Sequence, residues 1–172
     1  MEDKIKLLLE KGNLPPFREI DIKGSYPDAY SFVEHPRPLH FKCNSLIMRR
    51  VAKSVALNTL IEYMKNNRVK YPPYYLYKHM LMDSLKRYNF GEDKSTIEKW
   101  KNGCVIVLDG FDEISSQQEM NYIASFIEEL VLENKPMILI SSGKLDEEIL
   151  NKYNAMSFGI VLSDIEEIEF GG

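Results

Sequence analysis

The feature that most constrains this chain is a pair of short apolar runs separated by a segment with helical periodicity. The first run, 104–108, is followed by Asp109, and the second, 137–141, ends in Ser141 and is followed by Ser142. Apolar runs of this length are typical of strands buried on both faces, while residues 116–133 repeat apolar side chains at helical spacing. This alternation predicts an α/β fold of three layers, with a mainly parallel sheet flanked by helices.

The other segments extend this alternation over the rest of the chain. Residues 2–11 predict a helix, and the Pro-, Gly- and Tyr-rich stretch up to Pro38 predicts an extended surface connector. We interpret 1–38 as this helix and connector and 39–172 as the α/β core, together forming a single globular domain. Further strands are predicted at 38–43, 159–162 and 165–170, and further helices at 45–64, from 78, from 95 and at 144–154.

Hydroxyl and amide residues mark the starts of two of these helices. Asn44 or Ser45 is expected to cap the helix at 45–64, because such side chains accept hydrogen bonds from the first free N–H groups. Ser95, with Glu98 three residues later, matches a capping box and predicts the start of another helix.

Composition is that of a globular protein. The chain has 172 residues, of which 44% are hydrophobic and 28% charged, and this length is typical of one domain. No apolar run approaches the roughly 20 residues of a membrane span. The charged start MEDKIKLLLEKGN lacks the long apolar stretch of a secretory signal. We therefore expect a cytoplasmic protein with no membrane partner.

Charge is distributed unevenly along the chain. The net charge is −4, but residues 1–100 carry 18 Lys and Arg against 12 Asp and Glu, a surplus of +6, whereas 101–172 carry 4 against 14, a surplus of −10. The surplus of Lys and Arg in residues 1–100 has two interpretations. These side chains either contact nucleic acid or an acidic partner, or they form a solvated surface.

Cysteine and histidine give no sign of a metal site or a covalent mechanism. Cys43 and Cys104 belong to no CxxC or Cys/His cluster, which favours two reduced thiols. His35, His40 and His79 have neither metal-ligand spacing nor a neighbouring nucleophile motif.

Acidic and hydroxyl side chains follow the two central strands. Asp109, Asp112 and Glu113 come after the first strand, and Ser141 and Ser142 come at the end of the second. Because ligands bind at the carboxyl ends of strands in an open parallel sheet, we expect these side chains to share one edge. A carboxylate there is typical of a magnesium ion held beside phosphates. The alternative is a strand-end turn with helix-capping acids.

A phosphate-binding loop is the element that this site lacks. The motif GxxxxGK[ST] lets backbone N–H groups close around phosphates. The corresponding segment, IMRRVAKS at 47–54, keeps Lys53 and Ser54 but has Ile47 and Ala52 in place of both glycines. Two interpretations stay open, in which Lys53 and Ser54 either lie on a plain helix or keep a residual phosphate contact.

Two further features indicate possible contacts with nucleic acid. A basic patch on one helical turn is predicted from Arg49, Arg50 and Lys53. This patch either contacts DNA phosphates or an acidic partner, or it is a solvated face. The run YPPYYLY at 71–77 either stacks on bases or is a packed strand and turn.

These segments carry a family resemblance. CVIVLDGFDEI resembles the Walker B strand, and PMILISSGKLDEEI the sensor-1 strand, of P-loop ATPases of the AAA+ and STAND classes. Together with KLLLEKGNLPPF, RRVAKSVALNTLIEYM, YYLYKHMLMDSLKRY and IEEIEF, they resemble the layout of the ATPase domain of bacterial and phage replicative-helicase loaders, the DnaC-like group of AAA+ proteins. LDGFDEI by itself is also similar to the Walker B motif of NACHT-type STAND ATPases.

The resemblance implies a P-loop NTPase-like AAA+ core that binds ATP and single-stranded DNA and contacts a hexameric replicative helicase. It implies that Asp109 orders Mg²⁺ through water and that Asp112 or Glu113 polarises the attacking water. Ser141 and Ser142 stand at the sensor position, where the family usually has Asn. Residues 150–172 contain no arginine that could act as a finger on a neighbouring subunit.

The leading hypothesis is therefore a degenerate AAA+ protein that acts by binding in DNA replication of phage or plasmid type. It would serve as a helicase loader or a loader-like adaptor, with ATP and Mg²⁺ binding lost or weakened by the missing glycines. One alternative is a weak ATPase of STAND or AAA+ type that works as an oligomer through Lys53, Ser54, Asp109 and Glu113. The other is a non-catalytic protein-interaction module on an inherited ATPase fold.

Overall fold

A computed structural model describes residues 2–142 and 162–171 and confirms the α/β architecture. Its strands are β1 Pro38–Cys43, β2 Tyr74–Tyr77, β3 Ile106–Asp109, β4 Met137–Ile140 and β5 Glu166–Phe170. Its helices are α1 Asp3–Glu10, α2 Ile22–Ser25, α3 Pro27–Glu34, α4 Leu46–Asn66, α5 Lys78–Asn89, α6 Lys94–Lys101 and α7 Gln117–Leu132.

The five strands form one parallel sheet in the order β2-β3-β4-β1-β5. β1 lies between β4 and the edge strand β5, so the strand that comes first in the sequence has neighbours from the far end of the chain. The register aligns Tyr77 with Asp109 and Asp109 with Ile140, which brings the carboxyl ends of β2, β3 and β4 together. One edge of the sheet therefore collects the side chains that follow these strands.

Both faces of the sheet are covered, which explains the unbroken apolar runs. In β3, Ile106 and Leu108 pack under α5, α6 and α7, whereas Val107 packs on the opposite side with α4 and the N-terminal helices. β4 alternates in the same way, with Met137 and Leu139 on the first side. Successive side chains of a strand point to opposite faces, so a strand covered on both sides must be apolar at every position.

The N-terminal segment packs on the outer side of α4. Asn58 of α4 accepts a hydrogen bond from the Ile20 N–H at 3.3 Å and donates one to the Arg18 carbonyl at 2.8 Å. Phe32 of α3 is fully buried in the same core cluster. These contacts hold the extended residues before α2 against the middle of the longest helix.

The connector prediction for residues up to Pro38 was wrong in part, because this stretch contains α2 and α3. Asp21 caps α2 by accepting a hydrogen bond from the Gly24 N–H at 3.2 Å. Pro27 begins α3, where a missing N–H costs nothing because the first amides of a helix have no internal partner. Prolines that predict a loop here in fact mark a helix start.

The predicted capping box of the sixth helix was also wrong. α6 begins at Lys94, one residue before Ser95, and its N-cap is Asp93 in the left-handed conformation, with φ of 55° and no capping hydrogen bond from its side chain. Arg87 instead pairs with Asp93 at 2.7 Å. At the start of α4 the prediction was right, since Ser45 accepts a hydrogen bond from the Met48 N–H at 3.1 Å.

Helix α7 starts with a variant of the capping box, Ser116 with Glu119 three residues later, in which the Glu119 side chain bonds to the residue before the N-cap. Ser116 accepts a hydrogen bond from the Glu119 N–H, and Glu119 accepts hydrogen bonds from Ser115 and from Lys78 Nζ at 2.9 Å. Burial opposes ionisation of Glu119, but these donors outweigh it and lower its pKa to about 2. The helix that follows the acidic strand end is thereby fastened to α5.

Two predicted elements, the helix at 144–154 and most of the strand at 159–162, lie outside the described residues. The terminal strand at 165–170 is confirmed as β5. Within residues 2–142 and 162–171, no helix combines the length and the apolar character that crossing a membrane requires.

His40 on β1 is a polar ring inside the core. It is 2% exposed, and its Nε2 has no hydrogen-bond partner among the described residues. Burial, with a smaller effect of Lys42, lowers its pKa to about 4. Its Nδ1 lies 3.7 Å from Glu167, but the ring is neutral at pH 7, so this contact is not an ion pair.

We expect His40 to make the folded state sensitive to acid. Unfolded histidine takes up a proton near pH 6.5 and folded His40 only near pH 4, so the unfolded state binds more protons between these values. The contribution of neutral His40 to the free energy of unfolding is therefore complete above pH 6.5. It decreases by about 3 kcal/mol as the pH falls toward 4. Urea unfolding across this range should show a shallower pH dependence in His40→Leu than in wild type.

The exposed His35 provides the matched control. A His35→Leu variant should keep the wild-type pH dependence of unfolding. Equal pH dependence in wild type and His40→Leu would contradict the role of His40.

Candidate functional site

The candidate site lies at the carboxyl ends of β1, β3 and β4, where α4 begins. β1 ends at Cys43 and α4 starts at Leu46, so only Asn44 and Ser45 connect the strand to the helix. The connection is fastened at both ends, because Asn44 donates a hydrogen bond to the Gly171 carbonyl and the Cys43 N–H donates to Ser141 Oγ at 3.2 Å. No chain remains between strand and helix to form a loop around phosphates.

Lys53 and Ser54 lie inside the uninterrupted helix α4. Lys53 Nζ is 3.2 Å from Tyr77 Oη and sits over the rings of Tyr75 and Tyr77, 6.0 and 5.6 Å from their centroids. The backbone carbonyl of Ser54 accepts a hydrogen bond from Asn58 at 2.7 Å. Of the two interpretations that the sequence left open, this geometry matches the plain helix.

Arg49 occupies the centre of the strand-end site. Its Nε and Nη2 lie 3.0 and 2.9 Å from Asp109 Oδ1, and its Nη1 donates to Glu113 Oε1 at 2.6 Å. Asp109 is only 3% exposed, whereas 42% of the Glu113 side chain is accessible. A single guanidinium therefore pairs with two of the three predicted acids through charge-assisted hydrogen bonds, and its charge offsets one of the two negative charges.

Tyr75 completes the shell around Asp109. Its hydroxyl donates to Asp109 Oδ2 at 2.6 Å, so both carboxylate oxygens have partners. Burial and the adjacent carboxylate raise the pKa of Tyr75, which keeps the phenol protonated. Burial by itself would lower the pKa of Arg49, but Asp109 and Glu113 raise it, which keeps the guanidinium charged. The nearby Cys43 thiol has its pKa raised to about 12 by burial and Asp109, and is inert.

Asp112 has a different partner. Its carboxylate accepts hydrogen bonds from the Ser142 N–H at 2.7 Å and the Ser142 hydroxyl at 2.8 Å, and the residue is 1% exposed. Ser141 is fully buried and joins the ends of β1 and β4, since its N–H donates to the Phe41 carbonyl at 3.1 Å. The strand-end residues thus come together as predicted, and these bonds link the strands to one another.

Gly110 is what allows Arg49 to approach. Its φ is +74°, and a Cβ at this position would lie 2.7 Å from Arg49 Nη2 and 3.1 Å from Glu113 Cδ. A side chain would therefore strain the turn and displace the guanidinium.

The proposed basic patch does not exist as one surface. Arg49 turns inward to the acids, Arg50 is exposed, and Lys53 lies half-buried over tyrosine rings. The tyrosine run is a packed strand, because Tyr74 and Tyr75 of β2 are buried. Tyr77 remains partly accessible beside His79, whose ring stacks on it at 6.1 Å.

These residues do not fit a magnesium–nucleotide complex. The two-residue connection offers no cradle of N–H groups, Arg49 lies where a cation would neutralise Asp109, and Lys53 is directed at Tyr77. Across the described ranges 2–142 and 162–171, no cluster of three or more His, Cys, Asp or Glu is arranged to hold a metal ion. Chemically, the site is an internal network in which Arg49 pairs with Asp109 and Glu113 and Ser142 donates hydrogen bonds to Asp112.

The sequence patterns missed the roles of Arg49 and Tyr75. Arg49 was interpreted as part of a surface patch, although its position in the first turn after β1 is a signal for contact with the strand ends. Tyr75 gave no signal, because its hydroxyl meets Asp109 only through the pairing of β2 with β3.

Known structures share this fold. The DnaC helicase loader matches with a TM-score of 0.62 and 15% identity, over 96% of this chain and 99% of that one. DnaI matches with 0.61 and 16%, over 96% and 93%. The replication initiator DnaA bound to AMPPCP and single-stranded DNA matches with 0.58 and 12%, over 92% and 51%. The fold is therefore the AAA+ P-loop NTPase fold that the resemblance implied.

This likeness is one of structure. No protein-family model matches the chain, and no curated protein matches it in sequence. The chain spans almost the full length of the DnaC and DnaI structures and about half of the DnaA structure.

Removal of the Arg49 side chain should strongly destabilise the fold. Arg49→Ala leaves the buried carboxylate of Asp109 without a cation, and we expect a loss of about 3 kcal/mol in the free energy of unfolding, measured by urea denaturation. Arg50→Ala, one residue away on the exposed side of α4, should change it by less than about 0.5 kcal/mol.

A double variant separates the charge effect from lost packing. Arg49→Ala with Asp109→Asn keeps an acceptor for Tyr75 but removes the unpaired charge, so it should be more stable than Arg49→Ala alone. If the double variant loses the sum of both single losses, the ion pair is not what stabilises the site.

Proposed function

We propose that this chain acts by binding in DNA replication, as a helicase loader or a loader-like adaptor for a replicative helicase, without using ATP. Support for the replication role comes from the fold. One matched structure is a helicase loader that this chain spans almost completely, and another is a replication initiator.

The observation that carries the proposal is the position of Arg49. A guanidinium on Asp109 and Glu113 supplies internally the positive charge that a metal ion would supply from outside. A ligand would have to displace an ion pair that is largely shielded from water, and the two-residue connection offers no N–H groups in return. The strand-end region is therefore proposed to be structural, and function is assigned to the outer surfaces.

Single-stranded DNA is proposed as a second ligand. Arg50 is exposed on α4, and Lys53, Tyr77 and His79 lie together at the end of β2. Cations beside accessible aromatic rings suit a flexible strand, whose phosphates and bases they contact. The matched DnaA structure contains single-stranded DNA, which supports this assignment.

The weak-ATPase alternative requires Arg49 to leave both acids. Glu113 would have to be free to polarise water, yet it is paired with Arg49 at 2.6 Å. The interaction-module alternative differs from our proposal only in its partner, so a binding experiment distinguishes the two.

Titration calorimetry with Mg-ATP should show no binding to the wild-type protein. The expected result follows from the paired carboxylates and the missing loop. Micromolar affinity that Lys53→Ala abolishes would contradict the proposal, and so would ATP turnover that Glu113→Gln removes.

The purified protein should form a complex with the replicative helicase encoded by the same genome, detected by size-exclusion chromatography with light scattering. Addition of ATP should not change the amount of complex, because Arg49 already pairs with the carboxylates that would hold Mg²⁺. Failure to bind this helicase would leave the interaction-module alternative and overturn the loader role.

Binding of a labelled oligothymidine should weaken in Arg50→Glu and Lys53→Glu, and its affinity should fall with salt. Fluorescence anisotropy measures both effects. Lys135→Glu serves as the control and should bind like wild type, because Lys135 precedes β4 and lies at the amino ends of the strands, whereas Tyr77 lies at the carboxyl end of β2. Equal weakening in all three variants would contradict a local DNA contact.

A further inference from the structure

β5 lies at one edge of the sheet. It pairs on one side with β1, from Leu39 opposite Glu166 to Cys43 opposite Phe170, and it ends the strand order. Within residues 2–142 and 162–171, no strand pairs with its other side. An edge strand presents a row of backbone N–H and C=O groups that can pair with another extended chain. The sheet can therefore accept a further strand beside β5.

The carboxyl end of β5 is held in place by its neighbours. The Gly171 carbonyl accepts a hydrogen bond from Asn44, and the Tyr26 ring stacks on Phe170 with 6.0 Å between the ring centroids. Gly171 has φ of +80°, and a Cβ there would collide with the Met48 side chain, so the chain after β5 packs directly on α4. A strand that is already ordered loses little conformational entropy when another chain pairs with it.

A groove runs alongside β5, between this strand, the start of α3 and α4. Its lining includes four consecutive residues, 168–171. Met48 and Val51 of α4, together with Tyr26 and Phe170, give it apolar walls. Its volume is about 340 Å³, at the lower end of the roughly 300–1,000 Å³ typical of ligand clefts, which suits the side chains of one strand. We call β5 and this groove together the β5 edge.

The two faces of β5 differ in their chemistry. Phe170 belongs to the core cluster around α4 and Ile168 packs against it, so both side chains point to the face on which the groove lies. Successive residues of a strand alternate between its faces, which places Glu167 and Glu169 on the opposite face. Both glutamates are exposed. A strand added beside β5 would therefore meet apolar side chains on one face and carboxylates on the other.

Negative charge dominates the β5 edge. Residues 162–171 contain four acids and no Lys or Arg. Of the described residues that line the groove, only Asp28 and Glu169 are charged. The nearby cation Lys23 of α2 lies over the Tyr30 ring, 5.5 Å from its centroid, and does not line the groove. The groove and its border therefore favour a positively charged ligand.

Two cations of neighbouring segments offset part of this charge. Arg37 pairs with Glu166, and Lys42 of β1 lies 3.9 Å from Glu167. Glu169 forms no ion pair with another residue in the described part of the chain. Opposite charges on neighbouring strands stabilise their pairing, so a cation of an incoming strand is favoured beside Glu169.

We propose that the β5 edge binds an extended segment of a partner protein in which apolar residues alternate with Lys or Arg. The segment pairs with the open side of β5 as a further strand of the sheet. Its apolar side chains enter the groove beside Ile168 and Phe170, and its cations lie next to Glu167 and Glu169. In this mode of recognition main-chain hydrogen bonds supply affinity, and the alternate side chains supply specificity.

The charge of β5 distinguishes this segment from other occupants. A second copy that paired through its own β5 would place glutamates against glutamates, and like charges on adjacent strands are destabilising. The same carboxylates repel the phosphates of nucleic acid. Tyr77 and the proposed DNA contact belong to β2, at the opposite edge of the sheet, so the two ligands do not compete.

Fluorescence anisotropy with a labelled peptide of alternating lysine and valine, long enough to pair with all of β5, tests the proposal. We expect saturable binding to the full chain. A peptide of alternating lysine and glycine keeps the charge but has no side chain for the groove, and one of alternating glutamate and valine reverses the charge. Both should bind at least about tenfold more weakly. Equal binding of the lysine-glycine and lysine-valine peptides overturns the proposal.

A matched pair of variants tests the position of the contact. Glu169→Lys should raise the dissociation constant of the lysine-valine peptide by roughly tenfold, because a repulsion replaces an attraction. Glu98→Lys makes the same change of charge on α6, which packs near β2, where Lys99 lies over the Tyr74 ring, and should leave the constant unchanged. Both glutamates are exposed, so both variants are expected to fold, which circular dichroism checks.

Amide hydrogen exchange distinguishes strand addition from a contact through side chains alone. On peptide binding, exchange should slow at alternate residues of β5, because pairing protects the N–H groups that face the open side. Absence of binding, equal weakening in both variants, or unchanged exchange in β5 overturns the proposal. A wild-type dimer in which the β5 amides are protected overturns it as well, because the occupant is then a second copy.

Discussion

The contact between Arg49 and Asp109 is the interaction on which the structure at the carboxyl ends of the strands depends. Asp109 ends a strand that is covered on both faces, so its charge must be neutralised within the protein. Arg49 supplies the cation from α4, and Tyr75 supplies a hydroxyl from β2. One carboxylate thereby joins two strands and the longest helix, and Gly110 keeps the turn beside it narrow enough for the guanidinium.

An internal cation affects whether ligand binding at the strand ends can change the structure. Metal and nucleotide sites change their charge when ligands enter or leave, and this change is what moves neighbouring elements. Here a covalently attached side chain supplies the cation beside Asp109, and Asp112 accepts hydrogen bonds from the N–H and hydroxyl of Ser142. These contacts hold the strand ends in one arrangement, which is compatible with the proposed role in binding.

The two outer layers of the molecule offer separate surfaces for such recognition. α4, with Arg50 and Lys53, lies on one face of the sheet, and the groove between α5, α6 and α7 lies on the other. Because the sheet and its two core clusters separate these layers, partners on opposite sides do not compete for space. A molecule bound on one side of the sheet therefore leaves the side chains of the other side uncovered.

The sequence by itself determined the alternation of strands and helices, the parallel sheet and the meeting of Asp109, Asp112 and the serines at one edge, because these follow from periodicity and from the direction of parallel strands. It also showed that Ile47 and Ala52 replace the two glycines of the phosphate-binding motif. Only the tertiary structure decided that Arg49 turns inward, that Tyr75 reaches Asp109, and that the proline-rich connector contains helices. Side-chain direction at a helix start and pairing across a sheet depend on contacts between distant segments, and local sequence patterns do not record these contacts.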